Sequence, residues 1–303
     1  MALQACDIDD VSMKGQIFRF APSPNGYLHL GHAFSALLNR KLTMAAGGAL
    51  LLRIEDIDPD RSQRHFEAAL IEDLHWLGLD WSETPRRQSE HFAQYRRALD
   101  DLVQRGVAYP CFCSRGEIAK TCATSGDASR DPDGAFLYPG TCRGLSPAER
   151  ERRFLDGQRF ALRLDMAKAL AEITLLLTYR EFRESNVAAE IIPKPEIWGD
   201  VLIGRRDVPA SYHLACVLDD HIQGITDVVR GVDLEPSTAL HRLLQALLGL
   251  KTPNYHHHRL VLDREGRKLS KSKGAPCLRD LRAQGVSPSQ VREELSRRMN
   301  VPL

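Results

Sequence analysis

Ala21-Pro-Ser-Pro-Asn-Gly-Tyr-Leu-His-Leu-Gly-His32 is the stretch whose reading decides the fold of this chain. Before it, Ile17 to Phe20 reads as a short strand, and Pro22, Pro24, Asn25 and Gly26 then force a turn. After it, His32 to Ala46 carries Phe34, Leu37, Leu38 and Leu42 at helical spacing until Gly47-Gly48 stops the helix. Ala49 to Ile54 follows as a buried strand. Strand, helix, strand is one right-handed parallel crossover, so the fold class is α/β with a parallel sheet. The quoted loop sits where unpaired N–H groups and the helix dipole make an anion site, and the phosphates of ATP fit there. His29 and His32 are three apart and project from one side of the first turn, while Gly31 lets a nucleotide approach the backbone. Two histidines near a helix start are more often solvated or packed than catalytic, so the pair needs a partner elsewhere in the chain.

Outward from that loop, Leu70, Leu74 and Leu77 form a helical stripe ending at Gly78, and Phe92 to Val103 forms another ending at Gly106. Cys111 to Cys142 then changes character: it is rich in Gly, Ser, Asp and Pro and reads as an insertion. Apolar runs resume at Val201, followed by a helix with Leu240, Leu243, Leu244, Leu247 and Leu248 on one face. A closing helix is expected over Ser289 to Met299. The 303 residues, 43% hydrophobic and 27% charged, suit about two globular domains rather than a disordered or fibrous chain. With a net charge of +1, nucleic-acid contact would have to come from local basic spots such as Arg86-Arg87, Arg205-Arg206 and Arg297-Arg298. The acidic N-terminus lacks a signal-like apolar stretch and no run approaches ~18 apolar residues, so a cytoplasmic protein without a membrane partner is expected. Seven cysteines, an odd count, point to free thiols or a metal rather than a disulfide framework.

The partner of the histidine pair is Lys268-Leu-Ser-Lys-Ser272, followed by Lys273 and Gly274, a mobile basic segment capable of closing over a triphosphate. Alone it would be a solvated loop. The two segments, in this order around an insertion, resemble the signature pair of the class I aminoacyl-tRNA synthetases. Arg19-Phe-Ala-Pro-Ser-Pro-Asn-Gly26, Arg53-Ile-Glu-Asp-Ile-Asp58 and Val228-Val-Arg-Gly-Val-Asp233 are similar to the glutamyl branch of that family, and the likeness runs from about Phe18 to Ser272.

That resemblance implies a Rossmann-type catalytic core with a parallel sheet, an inserted zinc-binding subdomain and a short helical C-terminal region contacting the tRNA stem. It divides the chain into a flexible extension (1–16), the first half of the core (17–108), the insertion (109–195), the second half of the core (196–250) and the lysine loop with a helical end (251–303). It implies that Arg19, Ser23, Glu55, Tyr212 and Arg230 line a glutamate pocket, where a guanidinium such as Arg19 binds the side-chain carboxylate and Glu55 accepts from the ammonium. Pro22, Ser23, Gly31, His32 and Lys271 would bind ATP, and His29, His32, Lys268 and Lys271 would act on its phosphates. The implied reaction is attack of the glutamate α-carboxylate on the α-phosphorus, with Mg²⁺ on the phosphates and no covalent enzyme intermediate. Catalysis is then positioning plus charge stabilisation.

Cys111-Phe-Cys113 and Tyr138-Pro-Gly-Thr-Cys142 lie in an insertion too poor in apolar residues to hold itself together, a task zinc performs. The resemblance implies Cys111, Cys113, Tyr138 and Cys142 as ligands, with Cys122 a competitor for the place of Tyr138. His256-His257-His258 looks like a metal cluster, but consecutive strand residues point to opposite sides and cannot all reach one ion. One of the three could face the nucleotide. Asp219-Asp220 reads as structural, although close to the pocket.

Only 31 residues follow Ser272, too few for the anticodon-reading domain of an ordinary glutamyl-tRNA synthetase. Within the family this resembles the shortened relatives that attach glutamate to the queuosine base in the anticodon loop of tRNA(Asp). The expected partners are L-glutamate, ATP and tRNA(Asp) bearing queuosine, with the chain a monomer. The competing readings are a fragment of an ordinary synthetase that charges the 3′ end of tRNA(Glu), a non-enzymatic tRNA-binding paralogue, and a nucleotidyl transferase making a cofactor precursor. The paralogue would be expected to have lost His29, His32 or Lys271, and the Arg19 and Glu55 segments disfavour the transferase.

Overall fold

Phe18 and Phe20 are buried on one face of the first strand, and Arg19 between them turns to the opposite face, where it meets Asp220. This alternation sets the whole sheet between two apolar layers. The computed structural model describes residues 15–126, 128–183, 187–263, 265–267, 269 and 276–303.

In chain order, β1 (Ile17–Phe20), α1 (Leu30–Ala45) and β2 (Ala49–Ile54) make the crossover anticipated from the quoted loop. Then come α2 (Arg64–Trp76), the short β3 (Arg86–Arg87), α3 (Phe92–Gln104) and β4 (Ala108–Cys111). The insertion carries α4 (Arg115–Ser125), α5 (Pro147–Leu155), β5 (Ala161–Leu164) and α6 (Met166–Ala171). After these follow β6 (Tyr179–Phe182), β7 (Ala188–Ile191), β8 (Leu202–Gly204) and α7 (Tyr212–Ile222). The chain ends with β9 (Asp227–Gly231), α8 (Glu235–Leu247), β10 (Asn254–His258), α9 (Leu278–Ala283) and α10 (Pro288–Met299).

Among the described residues the main sheet has seven strands in the order β3-β2-β1-β9-β10-β6-β7, parallel except for the antiparallel edge strand β7. A second, three-stranded antiparallel sheet has the order β4-β5-β8. Strands β6 and β7 lie within the stretch set apart as an insertion, yet β6 pairs with β10, so the main sheet is completed from inside that stretch. The four-residue strands there are too short to stand out from their irregular surroundings.

The core follows the strand pleat. Phe18, Phe20, Leu50 and Leu52 pack with α1, α2 and α10 on one side, whereas Leu51, Val228 and Tyr255 face the other. A separate cluster joins Leu99 and Leu102 of α3 to Leu214 of α7 and to Leu240, Leu243 and Leu244 of α8, all nearly inaccessible. Burying each such leucine contributes roughly 1.5–3 kcal/mol, so this layer holds α7 and α8 firmly behind the site. Among the described residues no helix is long and apolar enough to cross a membrane.

Candidate active site

β1 is flanked by β2 on one side and β9 on the other. The chain leaves β1 through α1 toward β2 and leaves β9 through α8 toward β10, so the two crossovers part at the β1–β9 seam. In open α/β sheets ligands bind at such a switch point, outside the carboxyl ends of the strands. A cavity of about 540 Å³ opens there.

Arg19, Ser23, Glu55, Tyr212 and Arg230, the residues expected around an amino acid, all line this cavity. So do Pro22, His29, Gly31 and His32, expected around ATP. The lysines Lys268 and Lys271 lie outside the described residues. Their neighbour Leu269 lines the same cavity, and Cys277 beyond them pairs with His29 in an isolated antiparallel bridge, so both flanks of the loop attach at the site.

The histidine pair is built into the start of α1. His29 is the N-cap and its Nδ1 accepts from the Gly31 N–H at 3.1 Å, while His32 Nδ1 accepts from the His29 N–H at 3.1 Å. This reciprocal cap satisfies two N–H groups at the helix start. In the neutral imidazoles it also places the proton on Nε2, a donor of the kind phosphate oxygens accept. The structure gives Gly31 a second reason beyond nucleotide approach. A Cβ there would lie 2.9 Å from Cε1 of His29 and push the ring out of its cap.

Two guanidinium groups and two carboxylates meet beneath the cavity. Asp220 accepts from Arg19 Nε at 3.0 Å and from Arg53 Nη1 at 2.7 Å, and Arg53 also reaches Glu55 at 3.2 Å. Burial opposes the charge on Asp220, but Arg19 and Arg53 outweigh it and hold the carboxyl below its usual range. Glu55 goes the other way, because burial raises its carboxyl more than Arg53 and Arg19 lower it. Asp220 thus neutralises much of the Arg19 charge and occupies one edge of its fork.

Arg230 is held differently. It donates to Thr238 Oγ1 at 2.6 Å, to His257 Nε2 at 3.4 Å, and meets His241 Nδ1 at 3.4 Å. None of these described partners is a carboxylate, so none offsets the guanidinium charge as Asp220 does for Arg19. Sequence reading missed Thr238, His241 and Glu181, which binds His257 at 2.6 Å. It did place the histidine run on a strand with alternating faces: His256 binds Asp227 at 2.9 Å, His257 is buried, and His258 lines the cavity. Asp219 is structural, accepting from Arg86, Gln88 and Tyr95.

The insertion gathers its own cluster. The sulfurs of Cys111, Cys113 and Cys142 lie within 4.8 Å of one another. The Tyr138 hydroxyl is 3.4 Å from the Cys113 sulfur and accepts from the Cys142 N–H at 2.8 Å. Hydrogen bonding from Cys111, helped by Tyr138 and the Phe112 N–H, pulls the Cys142 thiol down to about 6. Three convergent sulfurs, with a phenol beside them, are a group that could hold a metal ion. Cys122 stands apart from them: its sulfur faces the Leu137 carbonyl at 3.6 Å, and it packs with Ile118 in the small core of the insertion.

A second cavity, of about 560 Å³, lies between the core and this insertion. It shares Ser23, Asn25, Glu55 and Tyr212 with the first and adds Arg130, Asp133 and Phe136 from the insertion.

This fold and site define a synthetase catalytic domain, and the profile described as "tRNA synthetases class I (E and Q), catalytic domain" matches residues 17–302. The chain belongs to that family and is a ligase. It is 44% identical over 283 residues to the glutamyl-Q tRNA(Asp) synthetase of Rhodobacter capsulatus, the match covering 91% of this chain and 98% of that protein. It is 38% identical to the glutamate–tRNA ligase of Aquifex aeolicus, covering 90% of this chain but 55% of the ligase. Among solved structures, a glutamate tRNA ligase from Elizabethkingia meningosepticum in complex with its amino acid superposes with a TM-score of 0.70 at 29% identity, covering 86% of this chain and 52% of that one. The chain therefore spans nearly all of the glutamyl-Q relative and about half of each glutamate–tRNA ligase.

Proposed function

We propose that this chain activates L-glutamate with ATP and Mg²⁺ and transfers it to the queuosine base in the anticodon loop of tRNA(Asp). The observation that carries the reading is the single cavity in which Arg19, Glu55, Tyr212 and Arg230 face His29 and His32 across the β1–β9 seam. An α-carboxylate oxygen attacks the α-phosphorus of ATP, pyrophosphate leaves, and glutamyl-adenylate remains. Arg230 supplies a positive charge for the substrate side-chain carboxylate and shares that role with Arg19, whose fork Asp220 partly fills. Glu55 accepts from the substrate ammonium. His29 and His32 donate to the phosphates, on which Lys268 and Lys271 also act. Mg²⁺ would neutralise phosphate charge, and zinc on Cys111, Cys113, Tyr138 and Cys142 would hold the insertion together.

The second cavity supports the transfer step, because it meets the first at Ser23, Glu55 and Tyr212, beside the expected carbonyl of the adenylate. A hydroxyl of a vicinal diol entering there would attack that carbonyl and release AMP. Both the queuosine cyclopentenediol and a terminal ribose present such a diol, so the same chemistry serves either acceptor. Coverage of nearly all of a glutamyl-Q tRNA(Asp) synthetase favours queuosine.

Two measurements test the reading. Glutamate-dependent ATP–pyrophosphate exchange without tRNA should occur, and better support by glutamine or aspartate would overturn the amino-acid assignment. Labelled glutamate should then be transferred to queuosine-containing tRNA(Asp) whose 3′ adenosine has been removed. Labelling that vanishes with that adenosine would restore the ordinary 3′-charging reaction.

A further inference from the structure

The partners of Arg230 form a directional network, and its direction follows from one chemical fact. A guanidinium donates and never accepts, so every imidazole nitrogen that bonds to it presents a lone pair. His241 Nδ1, 3.4 Å from Arg230 Nη1, therefore accepts, and the His241 proton sits on Nε2. That nitrogen is 3.2 Å from Nδ1 of His213, which must accept in turn, and the His213 proton is forced to its own Nε2. There it faces the Asp133 carboxylate at 3.9 Å, an electrostatic contact rather than a hydrogen bond.

On the other side of Arg230 the same rule holds. His257 Nε2 accepts from Arg230 and lies 3.1 Å from the Thr238 hydroxyl, so its Nδ1–H donates to Glu181 at 2.6 Å. All three rings are buried. Burial, and after it the Arg230 charge, keeps His213 down at about 3 and His257 at about 4, and holds His241 well below its ordinary range. Protonating His241 would set a donor against a donor. Neutral rings orient the guanidinium without cancelling its charge.

We infer that His241 and His213 are positioning residues, a tautomer-locked pair that aims Arg230 at the amino-acid carboxylate and joins it to Asp133 of the insertion. Arg230 lines the first cavity, whereas His213 and Asp133 line the second. The pair thus connects the amino-acid site to the wall of the insertion through two rings. This inference rests on the glutamate-activating reading given above.

Its test separates orientation from packing. His241→Leu keeps an apolar filling but removes the acceptor, and should raise the glutamate KM in pyrophosphate exchange about tenfold or more with the ATP KM unchanged. His241→Asn, whose side-chain oxygen can take the place of Nδ1, should recover most of that loss. Equal effects of Leu and Asn, or a matching rise in the ATP KM, would overturn the inference. Should His241→Leu fail to fold, His213→Leu against His213→Asn provides the same comparison one ring away.

A readout that needs no turnover is the nitrogen-15 spectrum of the histidine rings in the whole protein. His241 and His213 should both show the Nε2–H tautomer, and the His213 Nε2 resonance should move on Asp133→Asn. An Nδ1–H form of either ring would overturn the direction of the pair, and an unmoved resonance would remove Asp133 from it. If wild-type protein shows no glutamate-dependent exchange, the glutamate reading fails. The ring spectrum still decides whether the network is arranged as described.

Discussion

Arg19 donates through Nε to Oδ1 of Asp220 at 3.0 Å across 201 positions of sequence, and both side chains are buried. The same oxygen takes Nη1 of Arg53 at 2.7 Å. One carboxylate thus holds two cations beneath the cavity. Asp220→Ala leaves both guanidinium groups buried without it, a loss on the order of 3–5 kcal/mol. A urea titration should register that loss, and glutamate-dependent exchange should fall at least 100-fold, by roughly the 2.7 kcal/mol that factor represents. The pH dependence has a definite sign. The carboxyl is held below its usual range, so its contribution is complete above about pH 4 and fades as pH falls through the lower folded value. Wild type and variant should converge in strong acid.

Asp73 on α2 predicts the opposite sign. It is buried, neither carboxylate oxygen has a hydrogen-bond partner among the described residues, and the nearest cation, Arg282, is 3.8 Å away. Burial pushes its carboxyl up to about 6. The fold therefore favours the protonated form, and stability declines as pH rises from about 4 through 6. Asp73→Asn should stabilise the protein at pH 7 by about 2 kcal/mol and have little effect near pH 4. Thermal melts of both proteins at the two pH values check this, and a variant less stable than wild type at pH 7 would sink it.

The thiol cluster is checked by metal analysis. One zinc per chain is expected on purification, with Cys113→Ser or Cys142→Ser losing the metal and lowering the stability of the insertion. Cys122→Ser should retain zinc, since that sulfur faces the Leu137 carbonyl and is not among the three that converge within 4.8 Å. A well-folded, active protein without zinc would remove the site.

Gly31→Ala tests the histidine cap. The added methyl would meet the His29 ring at 2.9 Å, so the ring must move and the cap on the Gly31 N–H opens. Losing such a cap costs about 1 kcal/mol of stability, and kcat/KM for ATP should fall about tenfold or more as the His29 donor leaves its place. An unchanged ATP dependence would show that His29 does not act on the phosphates.

The sequence by itself determined the parts of this protein that depend on neighbours along the chain. The strand, turn and helix around His29 were legible because proline, glycine and apolar spacing act locally, and α2, α3 and α8 were legible from their stripes. The alternating fates of His256, His257 and His258 followed from strand geometry. The residues of the cavity were readable through family likeness, since nothing local says that Arg19, Glu55 and Arg230, on three different strands or their ends, converge. Tertiary structure alone decided how their charges are balanced. Arg19 is tied to a carboxylate on α7, whereas Arg230 is held by uncharged groups on α8 and β10. It also decided that β6 leaves the insertion to join the main sheet, bringing Glu181 to His257. Cys122 was left in competition with Tyr138 by sequence, and only packing separates them, because ligand convergence is a property of distance and not of spacing. The physical reason is common to all of these. Local propensity acts over a turn or two of chain, but electrostatic pairing inside a buried site depends on which groups the fold brings within about 3 Å, whatever their separation in sequence.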